Sequence, residues 1–233
     1  MTPPWVQTVG DDGAALRVIA TAPLPSGDLD APIDLTIRRV PGGVTVGETV
    51  VGTRLPERCP ELHVVDGGTF CLGIEEDTLD DPNEAERFWN RLGDYLRNQR
   101  YAERHRRWPA GRWLSHGAAA AGSQLEAERI AAECGWAEEY ADAIENGRGW
   151  LAEELPRPAK HGGLVNARTP CPRGCRRRDG APVLRRSCSQ RAALERLVLA
   201  ERERRAAGDR FIESLRRDGL ACCGRVDGCP LAA

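Results

Sequence analysis

RLPERCPELHVVDGGTFCLG, residues 54–73, is the stretch on which the fold and the candidate site depend. It joins a proline-bounded extended run, a histidine and an Asp-Gly-Gly turn to the β-prone segment Thr69-Phe70-Cys71-Leu72, which predicts a strand after a tight turn. Two interpretations of Cys71 are open. It is either a nucleophile at the edge of a sheet, with His63 and Asp66 nearby to influence its ionisation, or a small buried apolar residue.

The segment from His63 to Leu72 resembles the active-site segment of ubiquitin-conjugating enzymes. In that family the pattern runs His-Pro-Asn, a short turn, and then Gly-x-Ile-Cys-Leu. Gly68 and Cys71 fall on the second half of this pattern, and His63 stands where its His would. Val64-Val65 replaces Pro-Asn, so the oxyanion-steadying role of the family's Asn has no matching residue here. The resemblance covers roughly residues 33 to 105.

The resemblance implies a thioester-forming carrier enzyme. Cys71 would take the C-terminus of a ubiquitin-like or other Gly-ended protein from an adenylating activating enzyme and pass it to an amine. His63 would be a loop or oxyanion partner, and Asp66 would help to orient the incoming amine. In bacteria such proteins are typical of conjugation or antiviral defence operons, which is the context that the resemblance implies.

Chain length, net charge and the lack of targeting signals argue against several classes of protein. The 233-residue chain is long enough for a substantial core, and its formal net charge of -2 argues against a globally basic nucleic-acid or membrane-surface protein. No basic flank with an apolar run follows Met1, and no apolar run approaches the ~20 residues that span a bilayer. We therefore expect a cytoplasmic protein without a membrane partner, in which the nine cysteines are thiols or metal ligands.

Alternation of apolar and polar residues predicts an antiparallel meander before residues 54–73, the cysteine segment. Its expected strands are Leu16 to Ala20, Ile33 to Arg38 and Val44 to Val51, and Pro41-Gly42-Gly43 has the composition of the turn between the last two. An N-terminal helix, with which eukaryotic ubiquitin-conjugating domains begin, has no signal here. The predicted fold class is α+β, with a small antiparallel sheet backed by helices.

Helical periodicity begins after the cysteine segment. Asp81-Pro82 has the composition of a helix start, and Phe88, Leu92 and Leu96 recur on one face of the helix that follows. Later helices are predicted to open at the capping box Ser123–Glu126 and to carry Trp136, Tyr140 and Ile144. Further helical pieces are expected at residues 151–155, 193–206 and 209–217.

A domain boundary is predicted at the Pro- and Gly-rich stretch 156–163. Residues 1–155 would form the ubiquitin-conjugating-like domain with a helical extension, and residues 156–233 a cysteine-rich helical module. The aromatic- and Gly-rich loop 108–117 carries His116, and whether His116 meets Cys71 is left open.

Six of the nine cysteines lie in the last third of the chain. Cys171 and Cys175 share one tight turn, so their thiols are near enough to bind the same ion, and later cysteines are available to complete the shell. We predict a structural zinc held by Cys171, Cys175, Cys188 and Cys223, because a small segment with few apolar residues needs a staple. Unligated or redox-active thiols are the alternative.

A second function class is a non-catalytic zinc adaptor. In it Cys71 is buried, and the Arg-rich tail contacts nucleic acid or an acidic protein partner. The absence of aromatic residues among these arginines argues against nucleic acid. The arginines concerned are Arg168, Arg173, Arg176, Arg177, Arg178, Arg185 and Arg186.

Overall fold

The structure, a computed structural model, describes residues 2–73, 79, 81–111, 114–160 and 163–232. The chain divides into two compact units, the first made of Met1–Arg112 with Arg216–Ala233 and the second of Trp113–Leu215. The predicted boundary after residue 155 falls inside the second unit, and as a statement about domains it stays a prediction. In the described residues, no helix has the length and apolar character needed to cross a bilayer.

The first unit contains a six-stranded antiparallel sheet, which confirms the predicted fold class. Neighbouring strands follow the order β1-β2-β3-β4-β6-β5. The strands are β1 (Val6–Asp11), β2 (Ala15–Ala20), β3 (Ile33–Val40), β4 (Gly43–Glu48), β5 (Val64–Val65) and β6 (Thr69–Phe70).

The three predicted strands of the meander correspond to β2, β3 and β4. Val18 and Leu35, which are partners across β2 and β3, are both fully buried, as the alternation predicts. Gly42 has a φ of 91° in the turn between β3 and β4, a conformation that glycine adopts without strain. β1 was not predicted, because five of its six residues are exposed and it therefore has no apolar alternation.

Helix α1 (Pro82–His105) packs against the core of the sheet. It starts as predicted, because the Asp81 carboxylate accepts hydrogen bonds from the backbone N–H groups of Asn83 and Glu84, at 2.7 and 3.1 Å. The predicted face is buried, since Phe88 and Leu92 have no exposed side-chain surface. The packing of this helix positions the side chains that hold the cysteine segment.

The backbone of β6 lies unusually close to β4. Gly47 on β4 pairs with Thr69 on β6, and a Cβ atom at position 47 would lie 2.5 Å from the carbonyl oxygen of Gly68. A side chain at this position is therefore incompatible with the observed strand spacing. Glycine is required here by close backbone approach.

The second unit is helical and has a core of its own. Its helices are α2 (Ala118–Glu133), α3 (Ala137–Asn146) and α4 (Arg191–Arg217), of which α4 belongs to this unit up to Leu215. The prediction for α3 is confirmed by its buried Tyr140. The predicted start of α2 at Ser123 is wrong, because the alanines at 118–121 have high helix propensity and extend the helix toward its N-terminus.

Two further helix predictions were wrong. Leu151 to Glu153 form a turn, although Leu151 is fully buried. The predicted pair 193–206 and 209–217 is one continuous helix, α4, that runs through Gly208. A glycine in a helix interior costs only about 1 kcal/mol, and burial of the apolar face of α4 offsets it.

Some of the predicted segments extend outside the described residues. The aromatic- and Gly-rich loop is affected at Arg112 and Trp113, and the predicted linker 156–163 at His161 and Gly162. The described part of the linker is bridged, since Ala159 N–H donates to the Gly163 carbonyl at 2.9 Å.

Glu201 is a buried carboxylate in the second unit, with 1% of its surface exposed. Arg204 and Arg205 donate to its two oxygens at 2.6 to 2.8 Å, and the Tyr140 hydroxyl donates at 3.1 Å. Burial raises the pKa of Tyr140, and the neighbouring Glu201 charge raises it further, so the phenol remains a donor. The cluster satisfies a charge that would otherwise be costly to bury.

Gly47→Ala tests the close approach of β4 and β6. The new Cβ meets the Gly68 carbonyl, so β6 must shift, and we expect a loss of about 1–3 kcal/mol in the free energy of unfolding. Gly10→Ala on β1 is the matched control, because its Cβ meets none of the described atoms within 4 Å. Denaturant titration of both variants checks this, and equal losses would contradict the packing described.

Glu201→Gln tests the buried cluster. The substitution keeps the side-chain shape but leaves Arg204 and Arg205 without a counter-charge, so we expect a loss of about 2–4 kcal/mol. Glu203→Gln, on the same helix, removes an exposed pair with Arg210 and should cost less than about 1 kcal/mol. Thermal and denaturant unfolding compare the two, and a similar cost for both would show that burial of Glu201 is unimportant.

Candidate active site

The cysteine segment is closed at its base by a backbone pair. Cys59 N–H donates to the Val64 carbonyl at 2.9 Å, and Val64 N–H donates back to the Cys59 carbonyl at 3.0 Å. Between them Pro60–Leu62 forms a 3-10 turn that ends at His63 in the left-handed conformation, with a φ of 52°. β5 then pairs with β6 through Val64–Phe70 and Val65–Thr69.

Two side chains of α1 hold this turn from the core. The Gln99 Nε2 group donates to the Leu62 carbonyl at 2.5 Å, and the Tyr95 hydroxyl lies 3.3 Å from the carbonyls of Leu62 and His63. Both side chains are at least 96% buried. Burial raises the pKa of Tyr95 well above its ordinary value, so the phenol stays a donor to these carbonyls.

Cys71 is the first residue beyond β6. Its N–H donates to the His63 carbonyl at 2.8 Å, which continues the β5–β6 ladder by one position. The preceding Phe70 is buried and stacks on Tyr95 with ring centroids 4.7 Å apart, while Cys71 is only partly buried. The Cys71 thiol lies 3.9 Å from the Gly73 carbonyl. The thiol is therefore held at the surface by an anchored backbone.

The structure places the two predicted partners differently. His63 is brought beside Cys71 through the backbone, and its ring packs against Trp108 at 4.7 Å. Asp66 lies in the turn between β5 and β6, where its largely exposed carboxylate pairs with Arg58 at 2.6 Å. Their catalytic roles stay predictions. His116 belongs to the second unit, where its ring neighbours Phe211.

A groove of about 200 Å³ adjoins Cys71. One wall is the turn between β3 and β4, and the other is the end of β6 with the residues that follow it. Gly42 and Gly43 contribute no side chains to the first wall. The groove is lined by residues 40–46 and 70–73.

Seven of the other cysteines fall into two groups, neither of which includes Cys71. In the first unit, the Cys59 and Cys223 sulfurs are 3.0 Å apart. Burial, together with the neighbouring Cys222, raises the pKa of Cys229 to about 11. Burial also raises the pKa of Cys59, with further contributions from Cys223 and Cys229, so these four thiols interact with one another.

The second unit contains the other group, Cys171, Cys175 and Cys188. Burial raises the pKa of Cys171, and the neighbouring Cys175 and Cys188 raise it further. The turn between Cys171 and Cys175 is closed by the Gly174 N–H, which donates to the Cys171 carbonyl at 2.9 Å. This confirms that the two cysteines share a tight turn.

The predicted zinc ligands are thus distributed between the two units. Cys171, Cys175 and Cys188 lie together, whereas Cys223 lies in the first unit beside Cys59. Within the described part of the chain, no group of three or more His, Cys, Asp or Glu side chains is already arranged to hold a metal ion. The ligand set stays a prediction.

Sequence reasoning did not associate Cys59 with the cysteines of the tail. A signal was present, because the dipeptide Cys-Pro occurs at residues 59, 171 and 229. Proline fixes its own φ and has no N–H, which shapes a turn after the cysteine. The recurrence of this dipeptide could have connected the first unit with the cysteine-rich tail.

The Arg-rich stretch 168–186 is partly engaged within the protein. Arg173 pairs with Glu139 and lies 4.6 Å from the centre of the Trp136 ring. Arg176 and Arg185 donate to the backbone carbonyls of Gly180 and Val165, at 2.9 and 3.1 Å. Arg177 pairs with Asp179 at 3.7 Å. Four of the seven arginines proposed to meet nucleic acid or an acidic partner thus make contacts within the protein.

Two family models match the chain. One, described as a prokaryotic E2 domain, matches residues 10–110. The other, described as a cysteine-rich domain C-terminal to an E2 domain, matches residues 115–231. No curated protein and no solved structure matches the chain. The order of the two domains confirms the resemblance to ubiquitin-conjugating enzymes, and the chain belongs to the prokaryotic E2 (ubiquitin-conjugating-like) family that carries a cysteine-rich C-terminal domain.

Proposed function

We propose that the protein is a ubiquitin-conjugating-type transferase that carries a ubiquitin-like or other Gly-ended protein as a thioester on Cys71. The single observation that supports this most is the position of Cys71. It is a partly exposed thiol on an anchored backbone, beside a groove, within the segment that matches the prokaryotic E2 domain. Neither group of interacting thiols includes it.

The reaction proceeds in two exchanges. The Cys71 thiolate attacks the carbonyl carbon of a thioester presented by the activating enzyme, whose own thiolate leaves as the new thioester forms. An acceptor amine then attacks that thioester, and its nitrogen loses a proton to solvent. An amide forms, and Cys71 leaves as a thiolate.

Accessibility and rigidity of the thiol favour both exchanges. The Cys71 backbone is fixed by its hydrogen bond to His63, so the sulfur is presented in a restricted position. We propose that His63 orients this loop and that Asp66 attracts the incoming amine. Asp66 is suited to that task because its carboxylate is largely exposed, although Arg58 shares it.

The groove beside Cys71 suits the end of an extended polypeptide. Glycine residues carry no side chain, so a Gly-ended tail fits a shallow groove that a bulkier tail would overfill. The lack of side chains at Gly42 and Gly43 in the groove wall is consistent with such a tail. We propose that the tail of the carried protein lies here while its carboxyl end is bound to Cys71.

The cysteine-rich domain is compatible with a structural metal, and we propose zinc. Thiolate is a preferred ligand of zinc, and the grouping of Cys171, Cys175 and Cys188 in one unit provides three such donors. Zinc in this group would stabilise a segment whose turns are rich in Gly and Pro. It would take no part in the chemistry at Cys71.

The thioester is tested by intact mass measurement after co-expression with the genes that neighbour its own. Wild type should gain a protein-sized adduct that thiol reductant removes, because a thioester exchanges with thiols. Cys71→Ser should give an adduct that survives reductant, because an oxygen ester resists it, or no adduct, and Cys71→Ala should give none. Cys134→Ser is the control, since Cys134 is also partly exposed but lies outside both cysteine groups.

Retention of the same adduct by Cys71→Ala would place the linkage elsewhere and contradict the proposal. So would a lack of any adduct on wild type when the activating enzyme is present and active. The mass of the adduct, minus that of the chain, identifies the carried protein. Discharge on addition of a free amine then establishes transfer.

A further inference from the structure

The last residues of the chain fold onto the first unit, to which residues 216–233 belong. Arg106 holds these residues in place: its guanidinium donates to the Asp227 carboxylate at 2.6 Å and to the Gly224 carbonyl at 3.0 Å. Arg225 donates in turn to the Arg54 carbonyl. Val226 is 92% buried in the core beneath the sheet. This tail is therefore an ordered part of the unit.

The tail places three cysteines at the base of the cysteine segment. Cys223 meets Cys59 with a sulfur–sulfur distance of 3.0 Å, Cys229 contacts Cys222, and Cys229 also interacts with Cys59. Cys59 and Cys229 are 98% and 94% buried. Four thiols from two distant parts of the sequence thus converge on one place.

A backbone N–H group is aimed at one of these sulfurs, since Gly224 N–H donates to Cys222 Sγ at 3.3 Å. Such a donor favours negative charge on sulfur, as a metal-bound thiolate requires. By contrast, the Cys71 thiol contacts a carbonyl oxygen, that of Gly73.

We propose that Cys59, Cys222, Cys223 and Cys229 together bind one zinc ion. Four cysteines are the donor set of a closed structural zinc site. The sulfurs of Cys59 and Cys223 are farther apart than the ~2.05 Å of a disulfide. This group differs from the set predicted from the sequence, because Cys223 joins Cys59 instead of Cys171.

Zinc binding here requires adjustment of the side chains. The described residues hold no preformed group of three or more metal donors, and the four thiols stand as two contacting pairs. Rotation of Cys222 and Cys229 toward the other pair would complete the shell. Binding releases thiol protons, so affinity should fall as the pH is lowered.

The proposed zinc site would connect the tail to the cysteine segment. Cys59 is paired through two backbone hydrogen bonds with Val64, the first residue of β5, and β5 is paired with the strand that precedes Cys71. An ion bound to Cys59 and the tail would therefore hold the base of the segment at Cys59, as Gln99 holds it at Leu62. The metal site itself does not depend on the proposed transferase activity.

The test is the metal content of the full chain, measured by inductively coupled plasma mass spectrometry after purification with zinc present. Cys59→Ser and Cys223→Ser should each contain about one zinc ion fewer per chain than wild type. Cys71→Ser and Cys134→Ser are the controls and should match wild type. No carried protein or activating enzyme is needed, so failure of the transferase proposal would not affect this result.

A second measurement guards against variants that fail to fold. Wild type reconstituted with Co²⁺ should show the absorption bands of tetrahedral thiolate coordination, and Cys222→His should keep the ion because imidazole also binds zinc. Zinc content unchanged in Cys59→Ser would overturn the proposal. So would recovery of a disulfide between Cys59 and Cys223, with no metal lost, in peptides of wild type digested without reductant.

Discussion

The cysteine segment depends on one constraint, the hydrogen bonds that Gln99 and Tyr95 of helix α1 make from the core to the turn at Leu62 and His63. β5 and β6 have only two residues each, too few to be stable as an isolated hairpin. The carbonyls of the turn are desolvated, and an unpaired buried carbonyl would cost about 1–3 kcal/mol. Helix α1 satisfies these carbonyls and so fixes the strands that precede Cys71.

In this arrangement the backbone around Cys71 is held rigidly while its thiol stays accessible. The support consists of the paired backbone of the segment, the α1 side chains, and the close contact of Gly47 with Gly68. Cys71 lies where the ladder ends, beside the groove. A carrier enzyme needs such a position, because its thiol must reach two large partners in succession while its backbone stays in place. In our proposal, a zinc ion bound by Cys59 and the cysteines of the tail holds the segment at a further point.

Much of the fold follows from local signals in the sequence. Alternation identified the meander from β2 to β4, and the helix-starting Asp81 identified α1, because both depend on neighbouring residues. Strand β1 escaped prediction because its exposed residues carry no apolar pattern. The extended start of α2 and the continuity of α4 through Gly208 were missed because helix propensity and burial outweighed local boundary signals.

The candidate site was predictable only in part. Cys71 could be proposed as the site residue because its motif is contiguous in sequence, whereas the association of Cys59 with Cys223 spans 164 residues and depends on where the tail folds. The most direct test of the account is the alkylation rate of each cysteine in the native protein, read by mass spectrometry with isotope-labelled reagent. Cys71 should react roughly tenfold or more faster than the cysteines of the two groups. Reaction of Cys71 at or below their rate would contradict the claim that it is the presented thiol.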